Sequence, residues 1–177
     1  MSETIALEAL VEVLVEQGLI DALSPEQLEE LVEDTFNGDV EELEDWAAAA
    51  ILQTVYAERS GAERGVVHHD HRFGSETSDV VAELSATLGG EPVAFKQIGV
   101  RDDALHIQIG EKDWWVTFAP GGLDAIAHWM NFRLGEAGAR RRIFSVQTDG
   151  DSHCYVVAAP EDVASMKKRG VRGFGVP

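Results

Sequence analysis

Apolar positions recur at helical spacing through the first third of the chain. Ile5, Leu7, Leu10, Val11, Leu14 and Val15 make one stripe, and Gly18 follows as a stop. A second helix has a defined start: Ser24 as N-cap, Pro25 in the first helical position and Gln27 completing a capping box. Leu28, Leu31 and Val32 form its apolar face, and Gly38 ends it. A third helix is predicted from Asp39 through Leu43, Trp46, Ala47, Ala50, Ile51 and Val55 to about Glu58.

Beyond this point the period changes. A helix is predicted near 76–88 and ends at Gly89-Gly90. Alternating strands follow at 93–100, 104–109 and 114–118, separated by the tight loops 101–103 and 110–113. Then come a helix over 122–135, strands at 142–148 and 153–159, and a short closing helix near 160–168. Hairpins dominate, so the expected class is α+β. An acidic three-helix module precedes an α-β-β-β-α-β-β-α unit with an antiparallel five-stranded sheet and helices on one face. The element order over residues 76–168 is similar to that of the small acidic chaperones of type III secretion, which clamp extended segments of a client protein.

Charge sharpens this division. The 177 residues carry a net charge of −18, and residues 1–58 hold 16 acids with no Lys or Arg. The expected organisation is therefore an acidic helical module at 1–58, a linker and His-rich loop at 59–75, and an α+β domain at 76–177 with a basic tail. So acidic a chain disfavours nucleic acid and anionic membrane as partners. One cysteine excludes an internal disulfide and a Cys-based zinc cluster. No secretory signal and no apolar run long enough to span a bilayer are seen, so a cytoplasmic location is expected.

Several constellations could carry chemistry. His69 and His71 would project alike from an extended segment, and with Asp70 they could hold zinc or another divalent ion. The same cluster, with His68, would then serve a metal-dependent enzyme that activates water. Glu33, Thr35, Asn37, Gly38, Glu41 and Glu44 partly fit a calcium loop, although a helix stop followed by an acidic first turn explains the same residues. Cys154 neighbours His153, but adjacent strand residues face opposite sides, so Cys154 is expected to pack as a small apolar group. Trp115 and Trp129 stand off the predicted apolar faces and are candidate recognition anchors. The bases Arg140–Arg142 and Lys167–Arg169, with Arg172 in the Gly-rich tail, could dock on the acidic helices of the same chain or of a second copy, which leaves a homodimer open. No phosphate-binding Gly loop, dinucleotide fingerprint, HExxH or Gly-x-Ser-x-Gly elbow is present.

A dense negative field on a small helical module repels itself and favours a positive partner. The expected function is therefore a non-enzymatic protein-binding protein without a cofactor, of inhibitor, immunity or secretion-chaperone type. A basic protein would be engaged through Glu26, Glu29, Glu30, Glu33, Glu41, Glu42, Glu44 and Asp45, with Trp115 and Trp129 as anchors.

Overall fold

A computed structural model describes residues 5–38, 40, 43–70, 77–119, 121–150 and 152–177. Six helices and two antiparallel sheets make up a mixed α+β fold. Among the described residues no helix is long and apolar enough to cross a membrane.

The first helix, α1 (Leu7–Glu16), buries Leu7, Leu10, Val11, Val13 and Leu14. Each such Leu or Val contributes roughly 1.5–3 kcal/mol of transfer free energy when fully covered, so this face alone fixes the helix on its neighbours. Helix α2 (Pro25–Phe36) starts at the expected capping box: Ser24 Oγ accepts from Gln27 N, and Gln27 Oε1 accepts from Ser24 N at 2.9 Å. It ends where Asn37 turns left-handed with φ of 50°, a conformation that asparagine tolerates better than most residues. Helix α3 (Ala47–Val55) begins well after the predicted Asp39. Here packing overrides helical spacing. Leu43 is buried, and Trp46 stacks on Phe36 with 5.8 Å between ring centroids, so the chain closes against the end of α2 before it can wind up again.

The segment expected as a linker holds a strand. After a single 3-10 turn at Ala62–Arg64, β1 (Val66–Asp70) pairs antiparallel with β6 (Ser152–Ala158), placing His69 opposite His153. Strand β6 pairs next with β5 (Arg142–Val146), and β5 with the two-residue β7 (Phe174–Gly175). The remaining strands, β2 (Lys96–Arg101), β3 (Ala104–Ile109) and β4 (Lys112–Thr117), form a separate meander. The single five-stranded sheet expected from the hairpins is thus corrected to a four-stranded sheet, ordered β1-β6-β5-β7, and a three-stranded one. The meander joins through its own tight turns, whereas β5 and β6 find their outer partners at the two distant segments 66–70 and 174–175.

Helices α4 (Thr77–Thr87) and α5 (Gly122–Glu136) connect the sheets: α4 touches β1 and β2, and α5 touches β5 and β4. Their apolar faces share a core with Val67, Tyr155, Val157, Leu105 and Ile107. The opposite face of the four-stranded sheet, with Val66, Phe144, Cys154 and Val156, packs against α1, α3 and the closing helix α6 (Pro160–Lys168). One core therefore runs across the charge break at Arg59.

Candidate functional site

The described acidic residues of the first third divide into two sets. Three belong to contacts within the chain: Glu16 with Arg169, Asp21 with Arg64 and Arg59, and Asp45 with Arg172 at 3.8 Å. The basic tail thus docks on part of the helical module, and Asp45, half exposed, lies beside Arg172. The other set is exposed without an ion pair among the described residues: Glu8 and Glu12 on α1, Glu58 just after α3, and the five acids of α2, Glu26, Glu29, Glu30, Glu33 and Asp34. Glu44 is exposed and accepts from Trp46 Nε1 at 3.0 Å. Glu41 and Glu42 lie outside the described residues.

Beside this face runs a groove between α2 and α3 of about 450 Å³. Its lining carries Asp21, Glu30 and Asp34 together with one base, Arg59, which lies 3.7 Å from Asp21, while Leu23, Leu31 and Val55 supply apolar walls. The Thr35 and Thr54 hydroxyls, 2.9 Å apart, tie the two helices together. Glu33 and Thr35 are therefore helical positions, and Thr35 is engaged with α3.

The histidine segment is a strand edge instead of a polar loop. His68 Nε2 lies 3.0 Å from the Tyr56 carbonyl, and His69 is only 2% exposed. Glu83 lies near His68, and burial pushes its carboxyl above the usual range. His71 and the side chain of Asp70 lie outside the described residues. Among those described, no three His, Cys, Asp or Glu side chains are placed to hold a metal ion.

The two tryptophans belong to a different part of the fold from α2. Trp115 is 52% exposed on the outer face of β4, stacked on His106 at 4.6 Å. Trp129 is half-buried on α5, edge-on to Phe95 at 5.9 Å. Arg133 lies over both Trp114 and Trp129, at 4.8 and 5.5 Å from the ring centroids. Cys154 is buried, and desolvation pushes its thiol up to about 12, which leaves it protonated and inert.

A second concavity was not legible in the sequence. An open cleft of about 620 Å³ lies between the ends of β5 and β6, the β7 segment and the first turn of α5. The buried Tyr155 hydroxyl donates to Asp124 Oδ1 at 2.6 Å, and His153 Nδ1 lies 4.0 Å from that oxygen. Burial first, and the bond to Asp124 second, hold the Tyr155 phenol protonated far above its usual range. Tyr155 is in position to orient a carboxylate and has no tendency to act as a base at neutral pH.

No family model, curated protein or solved structure matches the chain.

Proposed function

We propose that the protein is a non-enzymatic binding protein whose α2 face engages a basic protein partner, in the manner of an inhibitor or immunity-type protein or of a secretion chaperone. The observation that carries this reading is the pattern of neutralisation. The chain's own arginines take up Glu16, Asp21 and Asp45 but leave the five acids of α2 exposed without an ion pair among the described residues. Like charges at i, i+3 and i+4 on one helix repel, and a cationic surface laid on α2 relieves that repulsion. The adjoining groove gives such a partner an apolar contact beside its charges, which supplies the desolvated centre that electrostatics alone lacks.

The test uses a synthetic Lys/Leu amphipathic peptide, fluorescently labelled and titrated with the full chain at several salt concentrations. Binding should weaken steeply with salt. The variant Glu26→Gln/Glu29→Gln/Glu30→Gln/Glu33→Gln should lose it, whereas Glu8→Gln/Glu12→Gln/Glu58→Gln/Glu63→Gln, with the same net charge, should keep it. Equal loss in both variants would show that only net charge matters and would refute a defined α2 site.

A further inference from the structure

We infer that the cleft beside Asp124 is a binding site for a small organic cation, one carrying an ammonium or guanidinium group. The inference does not depend on the α2 face. Asp45 and Asp124 both line the cleft, and no Lys or Arg does. Arg172, outside the lining, lies 3.8 Å from Asp45, so Asp124 is the carboxylate left to a guest. Its Oδ1 is fixed by the Tyr155 hydroxyl, and its Oδ2 makes no hydrogen bond among the described residues. A carboxylate locked on one oxygen by a buried donor presents the other in a set direction, which lowers the ordering cost of binding.

The rest of the lining is suited to neutral hydrogen bonding around that charge. Ser145 and Gln147 line the cleft, and neither Ser145 Oγ nor the Gln147 side-chain amide has a hydrogen bond among the described residues. The wall at 173–175 is held in place by close approach: a Cβ on Gly173 would lie 2.1 Å from the Asp45 carbonyl, and one on Gly175 would lie 3.4 Å from Ser145 Oγ. At Gly173 only backbone fits, and at Gly175 the missing side chain leaves room beside Ser145. His153 stacks parallel to Tyr155 with centroids 6.1 Å apart and faces the same carboxylate. Its imidazole ring adds a flat wall beside that carboxylate. An amine or guanidine therefore matches the cleft in charge, in donor direction and in size, because a volume of about 620 Å³ lies in the range typical of small-ligand sites.

Agmatine, which carries one group of each kind, is the probe. It would be titrated calorimetrically into the full chain at neutral pH, with backbone amide shifts mapped in parallel. One-to-one saturable binding is expected, with shifts centred on Ser145, Gln147 and His153. Asp124→Asn, which can keep the Tyr155 bond but removes the charge, should weaken affinity at least about tenfold, as loss of one charge-assisted hydrogen bond implies. Ser145→Val should weaken it by obstructing the cleft with no change in charge. Glu29→Gln/Glu30→Gln should leave it unchanged, which separates this site from diffuse attraction to α2. Full affinity in either cleft variant, shifts centred on α2, or no saturable binding to the wild-type chain would each overturn the inference.

Discussion

The clasp between Glu91 and Arg141 should be among the costliest polar contacts to break. Glu91 is 8% exposed at its side chain and accepts from the Arg140 amide at 2.9 Å, the Arg141 amide at 3.3 Å and Arg141 Nε at 2.8 Å. Arg141 also donates to the Thr87 and Gly89 carbonyls, each at 2.9 Å, and so caps the C-terminal end of α4 while holding the start of β5. Arg141→Met would keep the aliphatic stem, remove three side-chain bonds and leave a covered carboxylate without its counter-charge. Removing one partner of a fully buried pair costs about 3–5 kcal/mol. Because the Arg141 side chain is 32% exposed, a loss of roughly 2–4 kcal/mol is expected, or about 4–16 °C in Tm for a chain of this size.

The pH dependence carries a sign. The Arg141 bond holds the Glu91 carboxyl below its usual range. Its stabilising contribution is therefore complete above the unfolded-state value of about 4.3 and is lost as pH falls through the lower folded-state value. Urea unfolding of wild type, Arg141→Met, Glu91→Gln and the double variant, at neutral and acid pH, would measure this. The double variant should cost clearly less than the sum of the singles, with a coupling of about 1–3 kcal/mol, and the coupling should shrink in acid. Additive singles, or an unchanged midpoint for Arg141→Met, would refute the reasoning.

Three further outcomes follow from packing. Gly173→Ala, at φ of +83° with its Cβ 2.1 Å from the Asp45 carbonyl, should lower stability by roughly 2–4 kcal/mol in denaturant unfolding, since both strain and overlap act. Cys154 should resist a thiol-reactive dye in the native state and react once unfolded, because its thiol is buried and pushed up to about 12; rapid native labelling would contradict this. Tyr56 and Tyr155 should both remain un-ionised through the ordinary phenol range as followed by absorbance, because burial raises both. Stability should fall above about pH 10 as the unfolded phenols ionise first.

What could be read from the sequence was local. The Ser24–Gln27 box, Pro160 at the head of α6, and the two hairpins carry their instructions within a few residues, and the structure has elements at those places. Strand β1 was hidden because His68-His69-Asp70 is polar, and only its burial against β6 makes it a strand. Strand β7 has two residues, too few to show any period. The division into two sheets depends on partners far apart in sequence. The uneven charge of the first third and the possibility that the basic tail docks on it were open to view in the composition, whereas the pairing of Arg169 with Glu16 and of Arg172 with Asp45 needed the fold. Asp124 and Tyr155 gave no signal, since their meeting requires α5 to settle against the face of β6.

The continuity of the inner core beneath the acidic helices has a mechanical consequence. Phe144, Val156 and Val66 are covered by residues of the first third, so the charged face is not a detachable appendage. Cutting the chain at Arg59 would strip one side of the four-stranded sheet and offer it to aggregation. Conversely, α2 presents its carboxylates from a base packed on α3 and joined to the core that covers the sheet, so a force or a bound mass on that face is carried inward through α3.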